Sequence, residues 1–331
     1  DHLDYHSDIY YDSLISALNE HKFKRNKSVP NLAFDKSYLQ LLSFTLSALS
    51  ILGKINKDPL ESHTENLFKS FRVNEYLSKI RVFEGIGGSG NFAMFYAINL
   101  IHQKIYLNIN TTKEINEWVD LHLCNLNSNS FWGNAFMNPF LQFQNVYHQY
   151  EIFNYLKIND LPWSKIEKLL NSLVDPDGRF APYLGGGGCF DYDAIYLLTA
   201  NDSSSLIKSE ILKLTHKSII NSMNTDGGFS ESIQKIPLTI SGYSKLIKIL
   251  LTCSLHSFPY RLKTNLFISL NGQKDIKTHW TKYNRKWNES DLWDTWFRLL
   301  TIVRIENFLG NEDNFLNKKV SINYPGIGFG Y

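Results

Sequence analysis

Asp177-Gly178-Arg179-Phe180, then Cys189-Phe190-Asp191-Tyr192-Asp193-Ala194-Ile195-Tyr196-Leu197-Leu198, then Asp226-Gly227-Gly228-Phe229 is the passage that decides the fold. Two Asp-Gly turns, each leading to a phenylalanine, bracket an apolar, aromatic segment with helical spacing. Similar turns recur outward, at Gly85-Ile86-Gly87-Gly88 and Phe131-Trp132-Gly133 upstream and at Lys286-Trp287-Asn288 downstream. With Gly87, Gly133, Gly178, Gly228 and Trp287 as anchors the intervals are 46, 45, 50 and 59 residues. A period near 50 residues marks a repeat architecture.

After each anchor comes an apolar segment poor in Lys and Glu: 92–101, 140–156, 191–198, 243–255 and 292–305. Helices of that composition are surrounded by protein. Between them lie 112–126, 163–174, 205–223 and 260–270; in 205–223 an apolar stripe faces one way and Lys208, Glu210, Lys213 and Lys217 the other, as in an outer amphipathic helix. Segments 38–52 and 63–80 supply a first inner and outer helix. The pattern predicts an all-α fold, a single (α/α)6 toroid of six inner and six outer helices over 1–331, ending in an irregular segment 306–331 that serves as a plug or as a tail. A stacked helical solenoid is the competing architecture, but it does not require Gly-aromatic turns.

The composition fits a large buried core. Of 331 residues 43% are hydrophobic and 20% charged, outside the disordered range. The net charge is +2, and the one dense basic stretch, Lys22, Lys24, Arg25 and Lys27, reads as a solvated loop, so nucleic acid is not an expected partner. Three widely spaced cysteines, Cys124, Cys189 and Cys253, make neither a disulfide framework nor a zinc finger and suggest a reducing, cytoplasmic setting. No membrane span or leader is legible. The 22 Phe, 18 Tyr and 7 Trp amount to 14% of the chain, enough for rings to line a cavity as well as a core.

The motifs at 177–180, 189–198 and 226–229, with Ser290-Asp291-Leu292-Trp293-Asp294-Thr295-Trp296-Phe297, resemble the terpenoid cyclase and protein prenyltransferase superfamily over roughly residues 85 to 305. The resemblance implies a toroid and an isoprenoid substrate. Asp191-Tyr192-Asp193 matches the first three positions of the D-x-D-D of class II terpene cyclases, with Ala194 in the fourth place; Asp193 would be the proton donor and Asp191 its orienter. The zinc pattern of the prenyltransferases is not met, since Asp193 stands where D-x-C has its thiolate and 292–305 holds no His. Of the thioester motif G-C-G-E-Q only Gly188-Cys189 is present. No metal is therefore expected, and Mg2+ enters only if the substrate is a diphosphate.

The residues themselves point the same way. Parallel inner helices open their N-termini toward one mouth, where Asp191, Asp193, Asp291 and Asp294 would converge. Asp191 and Asp193 diverge by about 200° on a helix, so one can face the lumen while the other caps the turn. A carboxyl group in an aromatic, water-poor lumen becomes a competent acid near neutral pH, and ring faces stabilise cationic intermediates. Tyr147, His148 and Glu151, with Gln144, form a polar stripe on an inner helix, giving His148 a catalytic reading beside that of a core histidine. Tyr192, Trp293, Trp296, Tyr147, Glu151 and Trp132 are the candidate substrate contacts. Tryptophans beside carboxylates also describe a glycosidase or lyase cleft, and a non-catalytic binding toroid is a third reading. A small hydrophobic substrate is the expected partner, with peripheral membrane contact as its corollary.

Overall fold

Each repeat is held by the same pair of backbone hydrogen bonds. In the turns 127–132, 175–180 and 224–229 the first N–H donates to the fifth carbonyl (Asn127 to Phe131, 2.7 Å; Asp175 to Arg179, 2.8 Å; Asn224 to Gly228, 2.9 Å). The fourth N–H donates back to the first carbonyl (Ser130 to Asn127, 2.9 Å; Gly178 to Asp175, 2.8 Å; Gly227 to Asn224, 3.0 Å). The fourth residue is left-handed each time, with φ of 65° at Ser130 and 81° at Gly178 and Gly227, and Arg81 at 57° holds the corresponding place upstream. These four positions are 49, 48 and 49 residues apart, a stricter period than the glycine anchors gave. At Gly178 the chain also runs so close to α10 that a Cβ would lie 2.7 Å from the Thr215 nitrogen.

The computed structural model describes residues 2–25, 31–51, 60–134, 136, 138–201, 203, 205–233, 238–255, 257–271, 276–277 and 284–310. They form thirteen α-helices: α1 His2–Arg25, α2 Lys36–Ile51, α3 Glu61–Thr64, α4 Val73–Lys79, α5 Ser89–Tyr106, α6 Thr112–Cys124, α7 Pro139–Tyr155, α8 Trp163–Asn171, α9 Gly188–Thr199, α10 Leu206–Ile220, α11 Ile240–Thr252, α12 Phe258–Asn271 and α13 Leu292–Leu309. The fold is all-helical apart from a two-residue antiparallel pairing of 276–277 with 284–285, the only one among the described residues. No described helix is long and apolar enough to cross a membrane.

Helix starts follow local chemistry. Asn138 caps α7 by accepting from the Phe140 N–H at 2.9 Å, with Pro139 at the first helical position. Ser205 caps α10 and Asp291 caps α13 in the same way. Most side chains of α5, α7 and α9 are buried, whereas α6 buries only Ile115, Trp118, Val119 and His122. The helices thus divide into an inner and an outer set, as the composition predicts.

The number of inner helices differs from expectation. Neighbours run α2, α5, α7, α9 and α13, with α9 packed most extensively on α13. Phe44 of α2 meets Trp293 and Trp296 of α13 at ring separations of 6.3 and 5.7 Å, joining the last to the first. Helix α11, read as the fourth inner helix after the anchors, does not stand between α9 and α13; it leaves Ile240, Ile247 and Leu251 exposed and buries Leu246 and Ile249 on Leu184. The turn at 224–229 serves α13 instead. Thr295, the fourth residue of α13, accepts the Phe229 N–H at 2.9 Å, as Asp191, the fourth residue of α9, accepts the Phe180 N–H at 2.8 Å. Helices α11 and α12 are therefore an insertion between the fourth turn and its inner helix, and Trp287 is no repeat anchor.

Three other boundaries change. The chain forms α1 where no helix was read, and Lys22, Lys24 and Arg25 belong to it rather than to a loop, while Lys27 lies outside the described residues. Segment 63–80 is broken into α3 and α4 because Phe68 turns inward onto Tyr76 and Tyr96, with ring separations of 5.0 and 4.8 Å. Residues 306–309 continue α13, so the C-terminal segment is not irregular from 306; 311–331 lie outside the described residues.

Candidate functional site

Asp191 and Asp193 have separate surroundings, as their angular offset requires. Asp191 is fully buried and accepts from Phe180 N–H, from Arg179 Nη1 at 3.1 Å and from Arg298 Nη1. Arg179 continues to Ser218 Oγ at 3.0 Å, to the Ser218 carbonyl at 2.8 Å and to Ser222 Oγ at 3.0 Å. One carboxylate thus answers two buried guanidiniums and ties the third turn, α9, α10 and α13 together. Such a group is clamped in place. The glycine run before α9 makes room for this, since a Cβ on Gly186 would stand 2.8 Å from Asp191 Oδ2 and one on Gly188 2.6 Å from Asp294 Oδ1.

Asp193 is 1% exposed, and its Oδ1 has no hydrogen-bond partner among the described residues. Burial pushes its pKa well above the usual carboxylate range, and the charges of Glu151 and then Asp191 push it further, which favours the neutral acid. Burial, and in smaller part the Asp193 charge, raises the pKa of the nearby Tyr147 and Tyr192 phenols. The Tyr192 ring lies 6.1 Å from Tyr147, 6.3 Å from Tyr196 and 5.5 Å from Phe297, and the Tyr192 hydroxyl is itself without a partner.

On α7, Tyr147, His148 and Glu151 are all buried, so the polar stripe lies inside the molecule as predicted. The His148 Nε2 accepts from Asn91 Nδ2 at 2.7 Å, which leaves the proton on Nδ1. Burial, and secondarily Lys36, brings His148 down to about 3, so the ring is neutral at physiological pH. Cys189, half-buried and bonded through its sulfur to Gln144 Nε2 at 3.6 Å, has its thiol pKa raised by burial and by neighbouring carboxylates; it is a packing thiol and not a nucleophile. Among the described residues no three His, Cys, Asp or Glu side chains are grouped to hold a metal ion.

The remaining candidates are spread over other seams. Asp294 is buried at the start of α13, facing Gly188, where it corresponds to Phe190 of α9 and not to either aspartate. Trp293 and Trp296 pack on Phe44 and Phe297 between α2 and α13. Trp132 is far from this grouping in role: it is the sixth residue of its turn, equivalent to Phe180 and Phe229, all three buried, and its Nε1 donates to the His122 carbonyl at 2.8 Å between α6 and α7. It is a wedge of the repeat.

Arg179 and Arg298 were not among the sequence candidates, nor was Glu231, whose carboxylate takes the Tyr183 hydroxyl and whose carbonyl takes Arg298 Nη2 at 3.2 Å. A signal existed for Arg298. Arg298 lies four residues after Asp294 between Phe297 and Leu299, and a cation within that largely apolar stretch of α13 requires a buried acceptor. The chain matches no protein-family model, no curated protein and no solved structure.

Proposed function

We propose that this protein is an isoprenoid-directed enzyme of the class II cyclase kind, with the neutral Asp193 carboxyl as the initiating acid. The observation that carries the reading is the buried Asp193 Oδ1, without a hydrogen-bond partner among the described residues and close to the Tyr147 and Tyr192 phenols. A carboxyl group kept protonated by its surroundings can transfer its proton to a substrate alkene, leaving an Asp193 carboxylate and a carbocation. The faces of Tyr147, Tyr192, Tyr196 and Phe297 would lower the energy of that cation through their quadrupoles. Transfer of a proton from the cyclised cation back to the Asp193 carboxylate gives the neutral alkene product and restores the neutral acid. Asp191 acts in this scheme as a positioning residue, because its two arginine partners fix the first turn of the helix that carries Asp193.

The five inner helices and their outer partners are read here as a closed α/α ring, a toroid with one fewer repeat than predicted plus an inserted helix pair. The substrate is a small hydrophobic molecule; Mg2+ takes part only if that molecule is a diphosphate, and the free cysteines fit a cytoplasmic setting. The carbohydrate reading has less support, because Trp293 and Trp296 spend their faces on Phe44 and Phe297. Incubation with farnesyl, geranylgeranyl and squalene-type substrates, with and without Mg2+, followed by mass spectrometry, tests the proposal. A cyclised product that disappears in Asp193→Asn supports it; a product that persists in that variant refutes the role of Asp193, and no turnover of any isoprenoid refutes the substrate class.

A further inference from the structure

The inserted pair α11–α12 carries a surface unlike the rest of the molecule. On α11, Ile240 (91% exposed), Tyr243, Ile247 (58%) and Leu251 (80%) fall within one sector of the helix at 100° per residue. Leu255 (93%), Phe267 (65%) and Leu270 (81%) extend the apolar area onto the connection and α12. The opposite side of α11 is already used, with Leu246 and Ile249 seated on Leu184. The exposed stripe is thus a second apolar face.

The charge on this pair has one sign. From 240 to 271 there is no Asp or Glu, whereas Lys245, Lys248 and Lys263 are exposed and Arg261 is buried against Asp175 at 2.7 Å. Lys248 borders the apolar sector by about 80° measured from Ile240. An isologous contact with a second copy would set these lysines against the same lysines with no carboxylate between them, which disfavours self-association through this face. Apolar side chains bordered by cations without anions match the acyl and anionic headgroup layers of a lipid surface.

We infer that α11–α12 docks the protein on an anionic lipid bilayer, with Ile240, Ile247, Leu251 and Leu255 entering the acyl boundary and Lys248 meeting the headgroups. The pair is fixed to the segment that leads into α9: Asn265 of α12 accepts the Leu184 N–H through Oδ1 at 3.0 Å and donates through Nδ2 to the Pro182 carbonyl at 3.2 Å. The docked pair thus adjoins, by its inner side, the chain seven residues before Asp191. Docking itself does not depend on Asp193 or on turnover.

Sedimentation of the full chain with phosphatidylcholine vesicles, with and without phosphatidylglycerol, tests this. Binding is expected to the phosphatidylglycerol vesicles and to weaken with salt. Ile247→Asp with Leu251→Asp should lower the partition coefficient about a hundredfold or more, and Lys248→Gln roughly fivefold. The substituted side chains are exposed, so unchanged melting temperatures are expected to accompany these losses. Asp193→Asn should bind as the parent does, which separates this inference from the enzymatic one. Failure to bind phosphatidylglycerol vesicles, undiminished binding by Ile247→Asp with Leu251→Asp, or a dimer that this variant dissolves in sedimentation velocity without any vesicle binding would each overturn it.

Discussion

Helices α9 and α13 begin alike and then diverge. In both, the fourth residue accepts the N–H of the aromatic that closes a repeat turn: Asp191 for Phe180, Thr295 for Phe229. A hydroxyl does that work in α13. The carboxylate in α9 therefore answers another demand, the two guanidiniums of Arg179 and Arg298. Two residues further on, α13 has Phe297 where α9 has Asp193, both buried. A ring satisfies that place in the packing, so the fold does not require an acid there, and a buried acid without a partner is costly to keep. The comparison separates a carboxylate that holds the structure from one that is left for chemistry.

The strongest way to break the comparison is to give α9 the chemistry of α13. Asp191→Thr keeps an acceptor near the Phe180 N–H but leaves two buried cations unanswered, and is expected to destabilise the protein by about 3–5 kcal/mol in urea unfolding. If Asp191→Thr were tolerated as a neutral exchange, the clamp would have no structural weight. Next in size is Arg261→Met, which strips Asp175 of its buried bidentate partner at 2.7 Å and 2.7 Å and should cost about 3 kcal/mol. Hydrogen exchange should then speed up in α12 and in the third turn, while α5 and α7 keep their protection.

How much of this was legible in the sequence follows from the range of each interaction. Asp177-Gly178 and Asp226-Gly227 announce their turns because a left-handed residue is a local requirement, and the outer helices α6, α8 and α10 announce themselves by stripe. The insertion did not, because α11 has the same apolar spacing as an inner helix and only its partners distinguish it. Helix α1 escaped notice since its apolar residues are sparse, and Leu18 is the only fully buried hydrophobic side chain among its described ones. The acid–arginine clamp joins residues 107 positions apart, beyond any local pattern. The aspartates were identified from a local motif, but which of them is clamped and which is unpartnered depends on those distant arginines.

Smaller effects sharpen the same contrast. Thr295→Val removes one buried acceptor from the Phe229 N–H and should cost about 1–3 kcal/mol, less than Asp191→Thr. Asp193→Asn should match the parent in acid and gain on it as pH rises from about 4 through neutrality, because only the parent's unfolded state gives up a proton there. Its pH dependence has a definite sign. The folded pKa of Asp193 is raised above its unfolded value, so the stability linked to its protonated form is present at low pH and lost as pH rises through the folded pKa. The Asn variant should therefore gain on the parent in alkaline urea titrations. His148 has the opposite sense: brought down to about 3, it contributes stability above its ordinary value near 6.5 that is lost as pH falls from there toward 3. His148→Gln should flatten that part of the acid unfolding profile.

The central claim is that Asp193 is a buried, protonated acid. Infrared difference spectroscopy between the parent and Asp193→Asn at neutral pH addresses it directly. A carbonyl stretch of an unionised carboxylic acid, present in the parent and absent from the variant, is the predicted result. A difference spectrum showing only carboxylate bands would mean that Asp193 is ionised, and the assignment of the initiating proton to it would be wrong.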